Sequence, residues 1–78
     1  MAYLQKKVDT SGVSEEELAR RWDNLSLEDR EKVFRGAASE DDLDEWDEVS
    51  DMELGYLSER CSHRTVQGVV DHLALHAK

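Results

Sequence analysis

Residues 62–76 read SHRTVQGVVDHLALH and carry the clearest structural pattern in the chain. Val66, Val69, Val70 and Leu73 follow the i, i+3, i+4, i+7 spacing of an amphipathic helix. Ser62 stands where the capping residue of that helix is expected. The stretch therefore predicts a helix over 63–76 with one apolar face, and such a face needs other helices to cover it.

Four serines earlier in the chain are each followed three residues later by an acid, which is the pattern of a capping box. The pairs are Ser14–Glu17, Ser26–Asp29, Ser39–Asp42 and Ser50–Glu53. They predict helices near 14–25, 27–36, 40–48 and 51–60. Because proline and strand-like alternation are absent, we expect an all-α, compact bundle of four or five short helices over 14–78, preceded by a flexible N-terminal arm over 1–13.

The size and composition point to one small domain without a covalent staple. The chain has 78 residues and a single cysteine, Cys61, so no internal disulfide can form and a reducing compartment is expected. No apolar run approaches the roughly 18 residues of a membrane span, and no secretory signal follows Lys6 and Lys7. We therefore expect a cytoplasmic protein, a monomer or a homodimer, that does not bind membranes.

The negative charge is concentrated in one part of the chain. The net charge is −9, and the stretch from Glu40 to Glu53 holds nine acids and no bases. Elsewhere acids precede bases by four residues, as in Glu17–Arg21 and Glu28–Lys32, an order that stabilises a helix. The third predicted helix has no such partners, so its charge is not explained by local stability.

A helix over 40–48 would gather most of these acids on the side opposite Leu43, Trp46 and Val49, at about 100° per residue. We call the predicted set the carboxylate ridge. Its members are Glu40, Asp41, Asp44, Glu45, Asp47 and Glu48, extended by Asp51 and Glu53. Counted together with Asp42, the acids from Glu40 to Glu48 make seven carboxylates over roughly 12 Å, which would approach the axial charge density of duplex DNA.

Strong acidity argues against direct binding to nucleic acid or to anionic membranes, since both would be repelled. The leading hypothesis is a small binding protein whose carboxylate ridge mimics nucleic-acid charge and occupies a basic groove on a nucleic-acid-handling partner. By analogy, its size and charge suit phage or mobile-element inhibitors of the anti-CRISPR or anti-restriction type. A solvated acidic surface without a partner is the alternative, and Arg20 and Arg21 are candidates for a second contact face.

The second hypothesis relies on apolar side chains instead of the carboxylate ridge. A helical interaction module, such as a dimerising adaptor or transcription regulator, would anchor its partner through exposed apolar side chains, with Trp22, Phe34, Trp46 and Tyr56 as candidates. The stretch 62–76 also suggests the second helix of a helix-turn-helix, but direct DNA binding is disfavoured because no basic patch is present to hold phosphates.

The third hypothesis is a metal or catalytic site. Cys61, His63, His72 and His76 have residue types that bind zinc, but His63 and His72 would lie about 13 Å apart along one helix. No oxyanion hole or orienting acid accompanies Cys61. We therefore expect no catalytic residue, no bound metal and no cofactor.

Overall fold

The structure, a computed structural model, describes residues 8–10 and 12–76, and of His76 it describes the backbone alone. Over these residues the regular structure is entirely helical. The helices are α1 (Glu15–Asn24), α2 (Leu27–Ala37), α3 (Glu40–Leu43), α4 (Trp46–Val49), α5 (Leu54–Arg60) and α6 (His63–His76). The predicted all-α compact fold is confirmed, with α1, α2, α5 and α6 as its longer members.

The first two capping predictions are confirmed. The Ser14 hydroxyl accepts a hydrogen bond from the backbone N–H of Glu17 at 3.1 Å, and Ser26 does the same for Asp29 at 3.1 Å. Each serine thereby satisfies an amide of the first turn that has no partner within its helix. The chain consequently begins α1 and α2 close to where the sequence predicts.

The third predicted helix is divided. α3 ends at Leu43 and α4 begins at Trp46, while Asp44 and Glu45 keep right-handed dihedral angles with ψ of −17° and −7°. The hydrogen bond from the Glu45 N–H to the Asp42 carbonyl spans three residues, as in a 3₁₀ turn. Repulsion between acids four residues apart destabilises a single regular helix over this segment.

The prediction that Ser50 caps the next helix is wrong. Ser50 closes α4, and α5 begins at Leu54 with Glu53 as its extended capping residue. The side chain of Val49 is fully buried, and the helical conformation of α4 extends to this residue, which places its side chain in the core. A turn closed by the hydrogen bond from the Met52 N–H to the Val49 carbonyl then leads to α5.

The core lies between α6 and the helices that cover it. Its buried apolar residues are Leu18, Trp22, Val33, Phe34, Val49, Leu54, Leu57, Cys61, Val66, Val69, Val70 and Leu73. α2 approaches α6 closely where Gly68 meets Ala37, since a Cβ atom on Gly68 would lie 2.7 Å from that of Ala37. The apolar face predicted for 63–76 is therefore the centre of the bundle.

The segment before α1 differs from the predicted flexible arm over residues 8–10. The side-chain amide of Gln67 accepts from the Asp9 N–H at 2.9 Å and donates to the Asp9 carbonyl at 2.8 Å. Val8 and Val13 are half-buried against the core. Residues 1–7 and Ser11, which also belong to the predicted arm, lie outside the described part of the chain.

None of the helices formed by the described residues combines the length and the apolar character that crossing a bilayer requires.

Candidate functional site

Six acids of the α3–α4 segment are exposed at positions that share one side of a helical path. They are Glu40, Asp41, Asp44, Asp47, Glu48 and Asp51, and we call this set the acidic face. On one regular helix their spacing of i, i+1, i+4, i+7, i+8 and i+11 would span an arc of roughly 120° at about 100° per residue. Here the path is divided between α3 and α4, and Asp51 follows the end of α4. Glu53 is exposed as well, but it stands in the extended backbone just before α5.

Burial of the opposite side decides which way the acidic face points. Val49 is fully buried, and Leu43 and Trp46 are half-buried. The Trp46 ring lies against Phe34 with 5.2 Å between ring centroids and 34° between their planes. These apolar contacts hold one side of the segment on the core and leave the carboxylates on the other side in water.

Glu45 is a member of the carboxylate ridge that the structure places elsewhere. It is half-buried, and its Oε2 accepts a hydrogen bond from Arg60 Nη2 at 2.9 Å. This hydrogen bond raises the pKa of Arg60, with a smaller contribution from the charge of Glu45. The partner of Glu45 is fifteen residues away in the chain, so local spacing could not reveal the pair.

Asp42 is the buried acid of the segment, with 7% of its surface exposed. Its Oδ2 accepts from the Ser62 hydroxyl at 2.7 Å, the Ser62 N–H at 3.0 Å and the Ser39 hydroxyl at 3.3 Å. The Thr65 hydroxyl donates to the same oxygen. Asp42 therefore joins the start of α3 to the N-terminus of α6.

The sequence predicts a different role for Asp42, as the acid of the Ser39 capping box. In the structure the Ser39 N–H donates instead to Thr65 Oγ1 at 3.2 Å, and the Ser39 side chain caps no amide of α3. Ser62 and Thr65 have the spacing of a helix start, but nothing in the chain order indicates that they share a carboxylate with α3. Asp42 is thus an important residue that the sequence analysis missed.

The other end of the segment is held by a second polar contact. Arg30 donates to the Ser50 carbonyl at 3.4 Å and to the carbonyls of Trp22 at 3.0 Å and Asp23 at 3.1 Å. Trp22 Nε1 donates to the Met52 carbonyl at 3.0 Å, and the Arg30 guanidinium lies 5.4 Å from the Trp22 ring centroid. The end of α4 is therefore tied to α1 and α2.

Several charges outside the α3–α4 segment are paired within their own helices. Glu17 pairs with Arg21 at 3.1 Å, as predicted, and with Arg20 at 3.4 Å. The predicted pair Glu28–Lys32 forms at 3.6 Å, and Glu31–Arg35 is a further i, i+4 pair at 2.6 Å. Among residues 8–10 and 12–76, no ion pair within 4.0 Å involves a carboxylate of the acidic face. The face therefore carries unpaired charge.

The aromatic residues named for an apolar interaction module are not exposed as that hypothesis requires. Trp22 and Phe34 are fully buried and cannot anchor a partner, while Trp46 and Tyr56 are half-buried. Large apolar side chains that are exposed are Leu27 at 56%, Met52 at 41% and Leu75 at 72%.

Cys61 lies in the core with 2% of its surface exposed, and His63 and His72 are exposed on α6. The side chain of His76 lies outside the description. In the described part of the chain no three His, Cys, Asp or Glu side chains come together in a metal-binding arrangement. A shallow depression of about 390 Å³ is lined by Glu16, Ala19, Arg20, Asp23 and Glu53, and it holds no nucleophile–base pair.

No family model, curated protein or solved structure matches the chain. Its own geometry is therefore what bears on its function, and the acidic face is the surface with the most distinctive chemistry.

Proposed function

We propose that the chain is a small binding protein whose acidic face occupies a basic surface on a partner that handles nucleic acid. The observation that supports this proposal is the exposure of six carboxylates between Glu40 and Asp51, none of which forms an ion pair within 4.0 Å with another described residue. Lysine and arginine side chains arranged to bind phosphates also bind carboxylates, and they release their own counterions when they do so.

The spacing of charges along the acidic face indicates whether it would imitate a single strand or a duplex. Because Asp42 is buried and Glu45 is paired, six exposed carboxylates remain over eleven steps of chain, which at the rise of a regular helix corresponds to one per about 3 Å. A single DNA strand carries one charge per roughly 3.4 Å, and a duplex carries one per roughly 1.7 Å. The face therefore suits a groove that follows a single strand better than one that grips a duplex.

A titration with a fluorescent oligo-arginine peptide tests the charge-based part of the proposal. The triple variant Asp44→Asn, Asp47→Asn, Glu48→Gln removes three charges from the acidic face. We expect it to weaken binding roughly tenfold in low salt, and we expect wild-type binding to weaken steeply as salt rises.

The matched control removes three exposed charges from other helices through Glu16→Gln, Asp29→Asn and Glu59→Gln. It has the same net charge as the first variant but keeps the acidic face. Equal losses in the two variants would show that net charge alone governs binding, which would contradict the proposal. Displacement of a single-stranded oligonucleotide from a basic single-strand-binding protein tests the mimicry itself.

A second candidate function is an interaction module that uses apolar contacts. The observation behind it is the exposure of Leu27 and Leu75, since a large apolar side chain in water can contact a partner. Binding to such a partner would persist in high salt, whereas binding through the acidic face would not.

A further inference from the structure

The segment that carries the acidic face buries one apolar side chain fully, while Leu43 and Trp46 are half-buried against the core. α3 and α4 contain four residues each, and such short helices are marginal without tertiary contacts. Between Glu40 and Asp51, Val49 is the apolar side chain that is fully buried. Polar contacts to other helices must therefore contribute much of what holds the acidic face in place.

The contact at the start of the segment is concentrated on one oxygen. Asp42 Oδ2 accepts hydrogen bonds from Ser39, Ser62 and Thr65, of which Ser62 and Thr65 belong to the beginning of α6. Thr65 is fully buried, so loss of the carboxylate would leave its hydroxyl without that acceptor. Asp42 cannot contact a partner directly because it is buried beneath its exposed neighbours.

We infer that Asp42 is a positioning residue for the acidic face, which it holds outward by fixing α3 on the N-terminus of α6. The inference rests on the proposed function and deepens it. Carboxylates that are already held in the bound arrangement lose less conformational freedom on binding than carboxylates on a loose segment. Glu40, Asp41 and Asp44 lie within two residues of Asp42 and depend on it most directly.

Two variants separate positioning from charge. Asp42→Ala and Asp41→Ala each remove one carboxylate from the same turn, but only the first removes the contact with α6. We measure the exchange rates of the backbone amides from Leu43 to Val49. We expect Asp42→Ala to accelerate them roughly tenfold more than it accelerates the amides of α1 and α2. A factor of ten corresponds to about 1.4 kcal/mol. Asp41→Ala should leave exchange in this segment nearly unchanged.

Binding of the oligo-arginine peptide provides the second measurement. We expect Asp42→Ala to weaken binding roughly threefold more than Asp41→Ala, although both lose the same charge. Asp42→Asn keeps an acceptor oxygen and should give intermediate exchange and intermediate binding. If Asp42 only stabilised the fold, Asp42→Ala would accelerate amide exchange but would bind the peptide as tightly as Asp41→Ala does.

The outcomes distinguish the inference from the proposed function. If Asp42→Ala leaves exchange between Leu43 and Val49 unchanged, or binds as Asp41→Ala does, the positioning role is overturned. If the triple variant of the acidic face binds the peptide as the wild type does, the proposed function fails, while the exchange result remains valid. Should Asp42→Ala unfold the whole chain, Asp42→Asn replaces it, and equal acceleration of exchange in α1, α2 and the segment would overturn the inference.

Discussion

At Asp42, burial and hydrogen bonding act on the carboxylate in opposite directions. Burial raises the pKa of Asp42, but the hydrogen bonds from Thr65, Ser62 and Ser39 outweigh it, so the pKa lies below its ordinary value. A carboxylate with a lowered pKa in the folded state adds stability at pH values above its unfolded pKa of about 3.9. That contribution is lost as the pH falls through the folded pKa.

The lowered pKa of Asp42 predicts how the free energy of unfolding of Asp42→Asn compares with that of the wild type as the pH changes. We expect the variant to be less stable than the wild type by about 1–3 kcal/mol at pH 7, because hydrogen bonds to a charged acceptor are replaced by weaker ones. The difference should shrink as the pH falls below about 4, because the unfolded wild-type chain then takes up a proton at Asp42, and it should be smallest once the pH has passed below the lowered pKa of the folded state. Urea unfolding of both proteins at pH 7 and at acidic pH measures it.

Asp41→Asn is the control for this pH series, since it neutralises an exposed acid on the same turn. Its unfolding free energy should differ little from that of the wild type at pH 7. A difference between wild type and Asp42→Asn that stayed constant from pH 7 to pH 2 would show that the charge of Asp42 does not stabilise the fold.

At the scale of the elements, α2 and α6 meet closely enough that one position tolerates no side chain. A Cβ atom on Gly68 would come within 2.7 Å of Ala37 Cβ and within 3.2 Å of its Cα. Gly36 also lies within α2, but a Cβ atom there would meet nothing within 4 Å. The two glycines therefore form a matched pair, one required by packing and one not.

We expect Gly68→Ala to lower the free energy of unfolding by about 1–2 kcal/mol, because overpacking outweighs the gain in helix propensity. Gly36→Ala should raise it by about 0.5–1 kcal/mol through propensity alone. Denaturant unfolding of the two variants checks both signs. Stabilisation by Gly68→Ala would mean that the helices can separate without cost.

The helices were predictable to the extent that their signals are local. Ser14 and Ser26 cap the helices that follow them, and the apolar face of α6 lies where its spacing indicates. The boundary near Ser50 was not predictable in this way. Burial of Val49 and the hydrogen bond from Arg30 to the Ser50 carbonyl extend the turn, and both depend on residues distant in the chain.

At the scale of the whole molecule, a net charge of −9 on 78 residues creates self-repulsion that folding intensifies. The described i, i+4 ion pairs oppose this only weakly, since exposed pairs contribute a few tenths of a kcal/mol each. Added salt screens repulsion among the exposed carboxylates of the acidic face, since the Debye length shortens from roughly 30 Å at about 0.01 M to roughly 8 Å at about 0.15 M ionic strength.

We therefore expect the melting temperature to rise by several degrees as NaCl increases from about 20 mM to about 300 mM, corresponding to roughly 1 kcal/mol. The triple variant Asp44→Asn, Asp47→Asn, Glu48→Gln should melt higher than the wild type in low salt and respond less to added salt. Thermal unfolding followed by circular dichroism measures both effects. A melting temperature that falls with salt would show that attractive ion pairs dominate.

The sequence by itself determined the helical class, the starts of α1 and α2, the apolar face of α6 and the concentration of acid between Glu40 and Glu53. Each of these depends on residues within a few positions of one another, where helix geometry and capping act. Only the tertiary structure decided that Asp42 is buried, that Glu45 pairs with Arg60 and that Gln67 holds the backbone of Asp9. These contacts join residues 15 or more positions apart, and chain spacing carries no information about which distant side chains meet once the core has formed.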